Sequence, residues 1–272
     1  LGYDVDGNSS DEFKKYWPAD LHLVGKEITR FHTIIWPIML MALGLEIPKQ
    51  VFGHGWLVIN GGKISKSLGN YKDLREYIKD YGVDAVRYFV LREVPFGNDG
   101  AFSEEALINR TNADLANNLG NLVNRTISMA NKYFDGKVSN KKITDKVDSE
   151  FIEEINKIDS VVEEKMNILH VSEALEAIFD VLRRSNKYID ETTPWVLAKD
   201  EDKKGRLETV LYNLLESIRV CAQELKPFLP DTSSKIMEQL DITCESVLYL
   251  DDNEYHVSKP EVLFKRIEIK ED

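Results

Sequence analysis

From Ser103 to Asp241 the only periodicity in the sequence is helical, broken at Asp135-Gly136, His170, Pro194, Gly205 and Pro230. Glycine frees the backbone at such a break, and proline has no N–H with which to continue the ladder. That punctuation predicts a bundle of four or five helices, opened by the acidic first turn Ser103-Glu104-Glu105-Ala106. The stretch before it is organised differently. Residues 1 to 12 read as polar and turn-like, Asp20 to Gly25 as a short strand, and Thr29 to Leu43 as an apolar helix kinked or started near Pro37. Val51 to Ile59 reads as a second strand interrupted at its glycines. Strand, helix and strand in this order imply a right-handed parallel crossover, half of a nucleotide-binding sheet. Two helices follow, Leu74 to Tyr81 and Ala85 to Arg92, divided at Gly82, and the apolar runs of the tail from Val247 to Glu268 are expected to lie against other elements. The expected class is α/β plus all-α: the C-terminal half of a Rossmann-type nucleotide-binding domain, then a helical bundle.

With 43% hydrophobic and 30% charged residues, the chain has the makeup of a folded soluble protein. Its apolar run from Ile34 to Leu45 is too short to span a bilayer and is broken by Pro37 and Gly44. The opening LGYDVDGNSSDEF lacks the basic and apolar regions of a signal peptide, so a cytoplasmic location without membrane contact is expected. Cys221 and Cys244 form no CxxC pair, which leaves buried free thiols as the expectation and no metal site. A net charge of -12 argues against indiscriminate nucleic-acid binding. The charge is uneven, however: residues 241 to 272 hold 9 Asp+Glu against 4 Lys+Arg, whereas 101 to 140 hold 4 against 4. The central helical stretch is therefore neutral enough for a specific RNA partner.

Between strand and helices lies GGKISKSLGN, residues 61 to 70. A lysine is a compact charge on a flexible stem, suited to phosphate oxygens whose charge changes during reaction. Lys63 and Lys66, on a loop freed by Gly61, Gly62 and Gly69, are placed to hold a triphosphate, with Ser65 and Ser67 tying the loop or contacting phosphate. The alternative is a solvated turn with two surface lysines. The segment is not a P-loop, since no GxxxxGK[ST] occurs.

Asn117, Asn121 and Arg125 recur every four residues and fall on one helical stripe, with Leu115, Leu119, Leu122 and Met129 assigned to the packing side. Asparagine is a weak helix former, yet Asn109, Asn112, Asn118, Asn124 and Asn131 crowd the same segment. Amide and guanidinium groups can hydrogen-bond the edges of unpaired bases, and aromatic rings can stack on them. Trp195, after Pro194 in TTPWVLAK, is such an aromatic; its alternative role is a core or hinge tryptophan.

KISKS resembles the KMSKS signature of class I aminoacyl-tRNA synthetases, with Ile64 in place of the commonest methionine. The segments YWPADLHLVGKEITRFHTIIWPIMLMALGLEIPKQVFGHGWL and YFVLREVPFGNDGAFSEEALINRTNADLANNLGNLVNR narrow this to a resemblance to the methionyl-tRNA synthetase family, over most of the chain. The resemblance implies ATP-dependent activation of L-methionine to methionyl-adenylate, with Mg²⁺ accompanying ATP, and transfer to the methionine tRNA. It makes Lys66 the group that stabilises the transition state at the α-phosphate, assisted by Lys63, Ser65 and Ser67. Gly25, Lys26 and Glu27 match the family's Gly-Lys-acid segment at the nucleoside, although Glu27 alone is equally a helix-start acid. His32 matches a histidine of the methionine pocket, where the residue by itself reads as core. His54 falls at the adenine site. Asn117, Asn121, Arg125, Pro194 and Trp195 match the positions that recognise the CAU anticodon.

The resemblance divides the chain into residues 1–56, the C-terminal part of the catalytic domain; 57–108, the lysine loop and a connecting stem-contact region; 109–241, the anticodon-binding helices; and 242–272, a tail packing back on the body. The closing VLFKRIE resembles the family's LFPRIE, with Lys265 in place of proline. A His-x-Gly-His signature and zinc-knuckle cysteines do not occur. The expectation is therefore a C-terminal portion of the enzyme, inactive alone, with the missing N-terminal half as a partner and the family's zinc bound there. Alternatives are a class I synthetase for another amino acid and a non-catalytic RNA-binding module.

Overall fold

The computed structural model describes residues 2–4, 6–59, 62–63 and 73–268, with residues 59, 62 and 63 described by their backbone alone. The chain divides into two compact units, Leu1–Asn70 with Val94–Phe102, and Tyr71–Glu93 with Ser103–Asp272.

In the first unit the polar opening gives way to a helix earlier than expected. The Ser10 hydroxyl accepts from the Phe13 N–H and starts α1, Asp11–Tyr16. Strand β1, His22–Gly25, pairs in parallel with β2, Val51–His54, with His22 opposite Val51 and Gly25 opposite His54. The helix between them is irregular: a 3₁₀ turn at Lys26–Ile28 and a π-turn at Phe31–Ile35 precede α2, Trp36–Ala42. Pro37 withholds the N–H that a regular turn would offer the Thr33 carbonyl, so the widened turn ends where proline enters. The expected second strand is two strands in two sheets. β3, Leu57–Ile59, pairs in parallel with β5, Gly100–Ala101, and antiparallel with β4, Gly62–Lys63. The chain changes sheet at Gly55, where a Cβ would lie 1.8 Å from the Asn98 carbonyl oxygen. Only glycine tolerates that approach.

The second unit opens with α3, Leu74–Tyr81, and α4, Val83–Glu93, divided at Gly82 with φ +86°. Ser103 caps α5, Glu104–Arg110, by accepting from Ala106 N–H at 3.1 Å. One rod then continues through a π-helical stretch, Thr111–Gly120, into α6, Asn121–Phe134, ending where Asp135 and Gly136 take positive φ. Helices α7, Lys146–Asn167; α8, Val171–Thr192; α9, Pro194–Leu197; α10, Lys204–Leu225; and α11, Pro230–Leu240, complete the bundle. Gly205, expected to be a break, instead sits in the first turn of α10, where its missing Cβ avoids Ile143 Cδ1 at 2.7 Å. The helical stretch also contains one strand, β6, Lys137–Ser139, which pairs antiparallel with the tail strand β7, Glu254–His256.

α10 is the axis of the unit and is buried from Thr209 to Ala222, packed by α6, α7, α8 and α11. Buried on all sides, it carries polar groups that must find partners. Glu216 pairs with Arg219 at 2.7 Å and accepts from the Tyr255 hydroxyl. Asn213 receives the Tyr249 hydroxyl at 2.7 Å and donates to Tyr188, whose own hydroxyl meets the fully buried Asp148. Arg206 closes that network on Asp148 at 2.8 Å. Of the two thiols, Cys221 is buried and its pKa is pushed up by burial, whereas Cys244 is half-buried rather than buried.

Candidate functional site

In the first unit, β1 delivers Gly25, Lys26 and Glu27 to a cluster that the sequence did not reveal. Lys26 Nζ lies 2.5 and 2.6 Å from the two Asp99 carboxylate oxygens and 4.2 Å from the Trp56 ring centroid. Asp99 also accepts from the Trp56 backbone N–H at 2.8 Å, while Trp56 Nε1–H donates to Glu27 Oε2 at 2.8 Å. The Lys26 hydrogen bond, then that backbone N–H, hold the Asp99 carboxyl below its ordinary value. Trp56 and Asp99 lie far along the chain from Lys26, and no local spacing announces them.

His32 is half-buried, with Nδ1 3.0 Å from the Ile28 carbonyl oxygen and its ring edge-on to His22 at 5.8 Å. Trp17 lies 6.4 Å from His22 and 6.2 Å from Trp36. Among the described residues, His22 Nδ1 and Trp36 Nε1 are buried without a hydrogen-bond partner. Burial, then His32, lowers the His22 pKa and favours its neutral ring. Trp36 follows His32 by four residues, a helical spacing legible in the sequence; His22 had no such signal. His54 is exposed, its Nδ1 2.9 Å from the Gly55 carbonyl oxygen.

The lysine loop is described only where it begins. The Lys63 backbone pairs with Val58 at the end of β4, and Ser65, Lys66 and Ser67 lie outside the described residues.

In the second unit, the stripe drawn from 3.6-residue spacing keeps to the less buried side of the rod, although a π-helical stretch runs through part of it. Asn117 and Asn121 are exposed, and Arg125 is half-exposed. Leu115, Leu119 and Leu122 are buried. Met129, placed on the packing side from the sequence, instead lies one turn beyond Arg125 and half-exposed. Structural duties account for part of the asparagine crowding. Asn112 exchanges two 2.8 Å hydrogen bonds with the backbone of Ile267, Asn186 donates to Asn118 at 2.9 Å, and Asn131 donates to the Ser258 carbonyl at 2.8 Å. Among the described residues, Asn109, Asn117, Asn121, Asn124 and Arg125 have no side-chain partner.

α8 ends at Thr193 with φ +44°, and Pro194, pre-set for a first helical position, starts α9. Pro194 is buried, and Trp195 is 42% exposed. Trp195 lines a cavity of about 310 Å³ with Asn124, Arg125, Ser128, Met129 and Lys132. Arg125 and Trp195 are thus brought together, whereas Asn117 opens onto another cavity, of about 710 Å³, beside Arg266 of the tail.

Two family profiles match the chain: "tRNA synthetases class I (M)" over residues 3–127 and "Anticodon binding domain of methionyl tRNA ligase" over residues 138–272. A methionine–tRNA ligase of Caldanaerobacter subterraneus subsp. tengcongensis is 55% identical over 278 residues, which covers 100% of this chain and 43% of that protein. That of Bacillus subtilis is 50% identical over 280 residues, covering 100% of this chain and 42% of the relative. A solved Mycobacterium tuberculosis methionyl-tRNA synthetase in complex with methionyl-adenylate superposes with a TM-score of 0.89 at 38% identity, covering 95% of this chain and 52% of its own. The chain spans less than half the length of these curated relatives. With two profiles of that family matched in order along it and 95% of it superposing on a solved relative, it belongs to the methionyl-tRNA synthetase family of class I aminoacyl-tRNA synthetases.

Proposed function

We propose that the chain supplies part of the nucleotide site and the whole anticodon-reading surface of a methionine–tRNA ligase. The first reaction joins L-methionine to ATP, releasing pyrophosphate; the second passes the methionyl group to the methionine tRNA. In this reading Lys66 and Lys63 stabilise charge that moves onto the departing phosphates, and Ser65 and Ser67 hold the loop. Gly25 and Lys26 face the nucleoside, Glu27 accepts from ribose hydroxyls, and His54 flanks the adenine. His32 lines the methionine pocket, where the rings of Trp17 and Trp36 offer the thioether soft contacts. Mg²⁺ enters only as companion of the triphosphate, and no protein ligand is assigned to it. Zinc belongs to family segments outside this chain. The cytoplasm is the compartment that goes with this role.

The observation that carries the reading is the meeting of Arg125 and Trp195 in one groove, an exposed ring beside a guanidinium without a protein partner among the described residues. An unpaired base stacked on Trp195 would place its edge within reach of such donors. Asn117 and Asn121 extend the donor row, and buried Pro194 acts by setting the angle of Trp195. Anisotropy of a labelled RNA hairpin with a CAU loop tests this. Trp195→Ala is expected to weaken binding roughly 10-fold to 100-fold, the worth of one stacked base. Unchanged binding by a folded variant would remove Trp195 from the site.

A further inference from the structure

The groove beside Trp195 is longer than the residues assigned to it. Its floor follows α6 from Asn124 and Arg125 to Lys132 and Tyr133. Arg125 to Lys132 is two helical turns, about 10 Å of groove. Two cations and two aromatic rings line it, and among the described residues no carboxylate does. Lys132 Nζ lies 5.2 Å from the Tyr133 ring centroid and forms no ion pair among the described residues, so charge and ring stand together. Two acidic groups, Asp200 and Glu201, line an adjoining cavity of about 160 Å³ that shares Lys132 and Tyr133 as a wall. Asp200 is engaged locally, capping the Asp202 N–H at 3.1 Å and pairing with Lys203 at 3.4 Å.

We propose that Lys132 and Tyr133 form a second RNA-contact step: Tyr133 stacks the unpaired base next to the one on Trp195, and Lys132 neutralises the phosphate between them. The inference rests on the anticodon reading of Arg125 and Trp195, with which this patch is continuous. A ring beside a cation, in a groove that no described carboxylate lines, suits a single strand, whose bases stack without regard to sequence and whose phosphates attract lysine. The step adds affinity and fixes register, and leaves the CAU preference to the residues beside Trp195.

The test is anisotropy titration of the labelled CAU hairpin against this chain and its Lys132→Gln, Tyr133→Ala, Tyr133→Leu and Tyr133→Phe variants, at several salt concentrations. Lys132→Gln is expected to lower the slope of log affinity against log salt by about 0.7, the value for one phosphate of a single strand, with CAU preference unchanged. Tyr133→Ala is expected to weaken binding roughly 10-fold at every salt concentration, and Tyr133→Phe to bind as the unsubstituted chain. Tyr133→Leu keeps apolar bulk without a ring, and should match the alanine variant if stacking is the cause. An unchanged salt slope for Lys132→Gln, or full affinity in Tyr133→Leu, while Trp195→Ala still weakens binding, would overturn this proposal and leave the anticodon reading standing. No CAU preference in the unsubstituted chain would overturn both.

Discussion

Asp148 has no solvent exposure, and it gathers the Tyr188 hydroxyl, the Asn213 amide and the Arg206 guanidinium while closing a capping box at Asp145. Removing its carboxylate leaves a largely buried guanidinium with the exposed Asp145 and the Ile143 carbonyl, and leaves the Tyr188 hydroxyl without its acceptor, so Asp148→Ala is expected to cost about 3 kcal/mol, read as a lower urea midpoint. Asp84 works at longer range. It accepts from both the N–H and the hydroxyl of Thr232 at 2.6 Å, capping α11 from α4. Glu224 gives the pH dependence: burial first, and then Asp159, raise its carboxyl from 4.5 to about 7. The folded chain keeps a proton that the unfolded chain releases near pH 4.5, so this contribution is complete below that pH and lost as pH rises through 7. Denaturation between pH 4.5 and 8 should show stability falling by on the order of 3 kcal/mol from this group, and Glu224→Gln should flatten that decline. A decline that persists in the variant would assign it to other groups.

At the scale of elements, the helices of the bundle were legible because burial of one face imposes a period that the sequence must carry. α10 broke the amphipathic rule by being buried all round, yet its length and apolar content still marked it. β6 and β7 were not legible: each is three residues long, and only pairing across the whole bundle makes them strands. The π-helical Thr111–Gly120 escaped because its i→i+5 bonds leave no compositional trace, whereas Met129, four residues after Arg125 in the regular helix, belongs on the Arg125 side by spacing alone. At the candidate site the reverse held. Local motifs named Lys26 and Glu27, but the Asp99 and Trp56 side chains that hold them come from loops distant in sequence. The sheet change at Gly55 supplies an element-scale prediction. Gly55→Ala would drive a methyl into the Asn98 carbonyl, so amides of β2 and β3 should exchange faster while α10 is unaffected. Equal protection in the variant would contradict the close approach.

The two units differ as wholes. The helical unit holds nearly all the large buried side chains, whereas in the first unit Phe31, Ile34, Ile38 and Met41 are 59, 49, 59 and 70% exposed along one helical face. Apolar surface left in water contributes nothing to folding. Hydrogen exchange is therefore expected to open residues 22–59 well before α7, α8 and α10, and matching protection across both units would contradict that difference. The same contrast makes the anticodon reading testable on this chain, since the residues it names lie in the well-packed unit. The most direct measurement compares affinities for a CAU hairpin and for three hairpins each changed at one loop base. Saturable binding strongest for CAU is expected, with each change costing at least several-fold. Equal affinity for all four would mean that the groove at Arg125 and Trp195 does not read the anticodon.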